Sequence, residues 1–321
     1  MNEFKNILYV CENSVAQEAS ILRAVSLAEN NQADLTVIDV VPSVAAGKLE
    51  SSGGPTAGDL QGALLNERRK QLEALVEPYA ARLNIRLDVL VGRPFLQAIR
   101  RVLRDGHDLL IKPAENPSFV QRLFGSVDMQ LLRNCPCPLW LTRADEKPKY
   151  QNILAAVDFD PDLPDAVEQD LNQQILGLGG SLAFSDFAAL HVLHVWDAPG
   201  EVMIRIWAND PRTAGTDYVN GVHSSHELAF NQLRRQLTER VGKDANEYLS
   251  PEFHLQRGAA AALIPEKARE LKADLVIMGT VARTGIAGLL IGNTAEAVLE
   301  QLQCSVLAVK PSGFVSPVKP E

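Results

Sequence analysis

Between Asp274 and Lys310 the chain carries a spacing that could hold phosphate. A buried-strand pattern, Leu275-Val276-Ile277-Met278, runs into a small-residue loop, Gly279-Thr280-Val281-Ala282-Arg283-Thr284-Gly285. An apolar patch then ends in Gly292-Asn293-Thr294, a helix continues to about Leu302, and a last strand covers Ser305-Val306-Leu307-Ala308-Val309. A strand feeding a glycine loop and a helix start directs backbone N–H groups at one point, a natural anion cradle. Gly279 lets backbone approach a ligand closely. Gly292 exposes amides, and Asn293 reads as an N-cap with Glu296 three residues on. Two other strand ends of this half supply Asp158, able to accept from a ribose hydroxyl, and Val195, able to flank a base.

Each residue also has a plainer reading. Asn293 and Glu296 could be a capping box and nothing more, and Asp158 could open a turn with Asp160-Pro161. The Glu296 carboxylate would repel phosphate unless a metal ion or Arg283 offset it. The combination after successive strands of one sheet favours a ligand site, because open parallel sheets bind ligands beyond the carboxyl ends of their strands.

The elements that must position these residues occur twice. Strand-length apolar runs lie at Asn6 to Cys11, Leu35 to Val41, Arg86 to Val91, Asp108 to Lys112 and Pro138 to Thr142, separated by helix-period stretches. After a polar, linker-like segment, Ala144 to Tyr150, the pattern restarts at Asn152 to Val157. His191 to Trp196, Phe253 to Arg257, Ala273 to Met278 and Cys304 to Lys310 answer the later strands of the first half. The offset between halves grows from 146 (Ile153 less Ile7) to 166 (Gly258 less Gly92). This predicts one insertion around Gly177-Leu178-Gly179-Gly180-Ser181 and a second, unusually apolar loop within residues 198–220 that covers a pocket or a partner surface. Alternating strands and helices predict a parallel α/β sheet in each half. Pro78 predicts a kink or break in the helix running from about Leu60 to Leu83.

The first half is altered at the matching places. Glu12 stands for Asp158, Pro113 for Gly279, and the loop is one residue shorter, although Gly125-Ser126 remains. This half is not expected to bind the same ligand in the same way.

The 321 residues suffice for two domains, here placed at 1–146 and 150–313. A net charge of −9 argues against nucleic acid or an anionic membrane surface as the main partner. No apolar run has membrane-spanning length and the start lacks the pattern of an export signal, so a cytoplasmic chain is expected. Cys135-Pro136-Cys137 has no second ligand pair and reads as packed thiols. His223-x-x-His226 reads as polar surface at a helix start, and His191 and His194, three apart on a strand, face opposite sides. No Walker A, dinucleotide fingerprint, nucleophile elbow or general base stands out, so no catalytic or metal-ligating residue is assigned.

The run Met278 to Gly285, with nine residues from Arg283 to Ile291 and then Gly292-Asn293-Thr294, resembles the nucleotide loop of universal stress proteins, G-x2-G-x9-G-[ST]. The resemblance covers both halves. It implies two tandem flavodoxin-like domains, each a five-stranded parallel sheet with helices on both faces, packed as an intramolecular pseudo-dimer through Pro138 to Thr142 and Val306 to Val309. It implies ribose contact at Asp158, base contact at Val195, base and ribose contact at Met278 and Gly279, and phosphate contact at Gly292, Asn293 and Thr294. Ala282 replaces the motif's second glycine and Asn293 its Ser or Thr; alanine costs about 1 kcal/mol or more if that backbone has positive φ. The implied function is a stress-response regulatory protein taking ATP or a related adenine nucleotide, with Mg²⁺ if a triphosphate. An adaptor acting through protein contacts or an apolar small ligand, and a slow ATPase, are the alternatives.

Overall fold

The computed structural model describes residues 3–44, 56–115, 127–281 and 291–320. Ala282, Arg283, Gly125 and Ser126 therefore lie outside the described residues. The first half supplies β1 (Asn6–Val10), β2 (Asp34–Val41), β3 (Ile85–Val91), β4 (Leu109–Pro113) and β5 (Leu139–Thr142). The second supplies β6 (Asn152–Val157), β7 (Ala189–Trp196), β8 (Glu252–Arg257), β9 (Leu275–Gly279) and β10 (Ser305–Val309). All ten join in one sheet in the order β3-β2-β1-β4-β5-β10-β9-β6-β7-β8. Pairing is parallel within each half and antiparallel at the β5–β10 seam, where Leu307 sits opposite Trp140. The two edge strands thus cover each other, as expected for a pseudo-dimer, and neither is left as an open template.

Strands buried on both faces read as continuous apolar runs because successive side chains enter opposite cores. Ile7 and Tyr9 join one core, with α1 (Glu18–Asn31), α2 (Ala57–Val76), α5 (Ala166–Asp186), α7 (Pro211–Val241) and α8 (Lys243–Leu249). Leu8 and Val10 join the other, with α3 (Pro94–Asp105), α4 (Val127–Asn134), α9 (Ala260–Glu270) and α10 (Asn293–Leu299). Thr56 caps α2 in a reciprocal box with Asp59. That helix stops at Val76, and Pro78 lies in a following 3₁₀ turn, Glu77–Tyr79, so the expected break is present.

The duplication is visible in backbone detail. β2 and β7 share one pattern of burial along their eight residues. Gly92 and Gly258 have φ of +141° and +148°, a region costly for any other residue, and each N–H bonds the carbonyl ending the neighbouring strand, Val41 or Trp196.

Both predicted insertions are corrected. Gly177 to Ser181 is not a loop; it lies inside α5, whose 21 residues replace the 14 of α1. Its glycines permit close packing: a Cβ at Gly177 would strike Arg240, and one at Gly180 would strike Val241, both at the end of α7. The 198–220 segment is helical as well, forming α6 (Glu201–Trp207) and the first turns of α7. Hence His223 and His226 sit within α7 rather than at its start. The glycines of the first segment reflect the close approach of α5 to α7.

The segment after β5 is not a loose linker. Glu146 and Tyr150 are buried, and the Tyr150 hydroxyl and Ser305 Oγ both donate to the Glu146 carboxylate. Beyond β10, Lys310 is buried and donates to the Leu132 carbonyl of α4 at 2.6 Å, tying the second half to the first. Burial lowers its pKa from an ordinary 10.5 to about 8. Between these values the unfolded chain binds the extra proton, so this cost is present below pH 8 and is relieved as pH rises toward 10.5. Lys310→Met removes the cost. Its stability relative to wild type, followed by urea unfolding, should be highest below pH 8 and fall by about 3 kcal/mol by pH 10.5.

Candidate functional site

A cleft of about 540 Å³ opens beyond the carboxyl ends of β6, β7 and β9. Its position is the one an open parallel sheet offers for ligands, and its size is that of a small-molecule site. Seven residues singled out from sequence line it: Asp158, Val195, Met278, Gly279, Gly292, Asn293 and Thr294. The eighth, Ala282, is outside the described residues.

Local structure explains how each is held. Asp158 follows β6, and its backbone is clamped by one side chain: its N–H donates to Asn172 Oδ1 at 3.1 Å, and Asn172 Nδ2 donates back to its carbonyl at 2.7 Å. Asn172 is buried on α5 between apolar neighbours, and sequence reading missed it. A lone amide on an otherwise apolar helix stripe, Leu171, Ile175 and Leu176, was the available signal. Val195 and Leu193 from β7, Met278 from β9 and Ile264 from α9 make an apolar wall.

Two expectations change. Gly279 does not serve ligand approach alone: a Cβ there would lie 2.7 Å from Leu171 Cδ2, so its missing side chain also seats α5 on the sheet. The N-cap of α10 is Gly292, in extended conformation, and not Asn293, which is the first helical residue. No Asn293–Glu296 capping box forms; Glu296 instead faces Arg133 of α4 at 3.5 Å, across the domain junction. Val281 and Ile291 form an antiparallel bridge, and the Gly292 N–H bonds the Thr280 carbonyl at 3.0 Å. Among the described residues, nothing accepts from the N–H groups of Asn293, Thr294 and Ala295.

The cleft is otherwise acidic. Asp158, Asp165 and Glu168 line it, with no lysine or arginine among its described lining residues. A bare polyphosphate would be repelled there, whereas one carrying a divalent cation would not.

Among the described residues, the corresponding place in the first half holds a buried ion cluster. Ile7 pairs Leu109 as Ile153 pairs Leu275, which sets Lys112 where Met278 stands and Pro113 where Gly279 stands. The Lys112 ammonium is buried, 2.9 Å from Glu12 and 2.8 Å from Asp128, and donates to the Pro113 carbonyl. Asp128 also accepts the Glu115 N–H. Burial alone would lower the lysine pKa, but the two carboxylates outweigh it and the net shift is upward. Burial would likewise raise Glu12, yet Lys112 holds it below its ordinary value. An internal cation with its carboxylates thus stands in the first half at the strand position where apolar Met278 lines the cleft of the second.

Of the remaining sequence candidates, Cys135 and Cys137 are buried with sulfurs 3.6 Å apart, as packed thiols. His191 and His194 do face opposite sides: His194 stacks on Phe159 and contacts His226, while His191 meets His254.

Two doubly wound α/β units fused through their edge strands, with a cleft at the switch point of the second, define a tandem α/β protein. The universal stress protein family model matches residues 3–143 and 149–310, and the chain belongs to that family as a tandem member. It is similar to universal stress protein E of Escherichia coli K12, 30% identical over 232 residues, covering 71% of this chain and 68% of that protein. It is 28% identical over 319 residues to the universal stress protein E homolog of Haemophilus influenzae, covering 97% and 98% of the two chains. A functionally unknown protein of Pseudomonas aeruginosa PAO1, 24% identical, shares the fold with a TM-score of 0.67 over 98% of this chain and 95% of its own. Among the described residues no helix is long and apolar enough to cross a membrane.

Proposed function

We propose that this protein is a stress-response regulatory protein that binds one adenine nucleotide, as its magnesium complex, in the cleft of the second domain. The observation that carries this reading is the donor set of that cleft. An apolar wall of Val195, Leu193, Ile264 and Met278 suits a base, and the Asp158 carboxylate suits ribose hydroxyls. The amides of Asn293, Thr294 and Ala295, without an acceptor among the described residues, suit phosphate oxygens. Asn172 positions Asp158, and the acidic rim selects a metal-bound phosphate chain. The domains are taken as 1–146 and 150–313, with the first retained for pairing rather than binding. No side chain is assigned a catalytic role.

Equilibrium binding of ATP and AMP with Mg²⁺ tests this. Gly292→Trp fills the cleft and should weaken binding at least about tenfold, a loss of roughly 1.4 kcal/mol. Asp158→Ala should cost about 1 kcal/mol through the ribose contact. Ala282→Gly is expected to tighten ATP binding. No saturable binding by wild type would refute the nucleotide reading.

A second reading is supported by α6. Val202, Ile206 and Trp207 are largely exposed there, Trp207 by 79%, while Glu201 of the same helix accepts from both Arg205 and Arg257. An adaptor that uses this apolar helix needs no nucleotide, and would lose partner binding in Trp207→Ser with cleft variants unaffected.

A further inference from the structure

His191, Glu252 and His254 form a second cluster, away from the nucleotide-type cleft. His191 lies in the first half of β7 and the other two on the adjoining edge strand β8, whereas the cleft opens at the far ends of these strands. His191 is in register with Glu252, and Leu193, two residues on, with His254, so all three side chains leave the same face of the sheet. His191 Nδ1 is 3.2 Å from His254 Nε2 and 3.5 Å from the Glu252 carboxylate, and His254 Nε2 is 3.9 Å from that carboxylate.

We propose that His191, Glu252 and His254 bind a divalent transition-metal ion of the zinc class, with solvent completing its coordination. Two ligands each about 2.0–2.1 Å from a tetrahedral ion are roughly 3.3 Å apart, and the observed triangle is close to that size. Two imidazoles and a carboxylate form a donor set suited to zinc rather than to magnesium or calcium. The buried His191 is a fixed anchor, with 6% of its side chain exposed, while Glu252 is 65% exposed and free to swing onto an ion. The edge position of β8 gives the ion access from solvent.

The charged groups facing the cluster come from α9. Lys267 would repel a cation, but its ammonium is held by Glu270 at 2.8 Å, which balances its charge locally. A hydrogen bond between the two rings accounts for the 3.2 Å approach without metal, and is the competing arrangement.

The test is titration of the intact chain with Co²⁺ and with Zn²⁺ against a chromogenic chelator. One ion per chain and a four-coordinate cobalt spectrum are expected. His254→Gln should weaken binding about a hundredfold or more, exceeding the effect of losing an outer-shell partner. Glu252→Gln, at an exposed position that leaves folding intact, should weaken it at least about tenfold. His226→Gln, at the other histidine contact, should leave affinity unchanged. Equal affinity for wild type and the His191→Gln/His254→Gln double variant would overturn the proposal, as would loss of binding in His226→Gln alone.

Discussion

Lys112→Met is expected to destabilise the protein by about 3–5 kcal/mol, the cost of breaking a buried ion pair from one side. Methionine is the residue the second half carries at this position, so the shape change is small. The effect is electrostatic: Glu12 and Asp128 lose their cation, and Glu115, whose pKa burial and Asp128 already raise, stands beside them. The pH dependence follows from the two shifts. Glu12 is held below its ordinary 4.5, so its contribution is present above that value and lost as pH falls through the folded pKa. Lys112 is raised above 10.5, so its contribution is complete below that value and lost only at higher pH. Urea unfolding should therefore show the full deficit near pH 7 and a smaller one at acidic pH, where the orphaned carboxylates protonate. Lys112→Met combined with Glu12→Gln and Asp128→Asn should recover most of the loss, because whole ion clusters can be replaced at little cost while half-clusters cannot. A single variant as stable as wild type would mean that the ammonium does not offset the burial of these carboxylates.

Arg23→Met is expected to cost a similar ~3–5 kcal/mol, but at the junction of the two halves. Arg23 leaves α1 of the first half and reaches Asp186 at the end of α5 at 2.6 Å. It also donates to the Lys147 carbonyl at 2.8 Å, lies 4.0 Å over the Tyr150 ring, and approaches Glu146 at 4.0 Å. Asp186 in turn accepts the Tyr150 N–H, so one guanidinium organises the segment that joins the repeats. Burial raises the Glu146 pKa even with Arg23, Ser305 and Tyr150 acting against it. Without Arg23 the rise is larger, so the deficit should shrink as pH falls and Glu146 takes up a proton. Limited proteolysis should show the matching local effect, with faster cleavage between Arg143 and Gln151. Unchanged stability would mean that the seam strands alone hold the halves together.

Much of the architecture was legible because it repeats. Parallel strands buried on both faces leave unbroken apolar runs, and those of the second half could be aligned on those of the first; the β5–β10 seam came from the family resemblance. Two cleft residues were legible because the ends of such strands are fixed points: Asp158 and Val195 follow from strand position, whereas Met278 came from the family resemblance. Gly279 and Asn293 were located but their local roles were not, since neither Leu171 behind the glycine nor the cap at Gly292 has a short-range signature. Lys112 read as one polar residue in a strand; its meaning depends on Glu12 and Asp128, which are distant in sequence and meet it only in the folded sheet. The same holds for Arg23, Asp186 and Tyr150, and for the His191–His254 contact across two strands. Residues 198–220 read as a loop because their apolar residues mark an exposed helix face, which patterning against a core cannot reveal.

We propose an asymmetric tandem in which the second-half cleft takes a nucleotide and the matching first-half place, with its buried Lys112 cluster, does not. Calorimetric titration of the intact chain with Mg·ATP measures this directly. A stoichiometry of one nucleotide per chain, abolished by Gly292→Trp and unchanged by Lys112→Met, is the predicted result. Two nucleotides per chain, or one that survives Gly292→Trp, would contradict it.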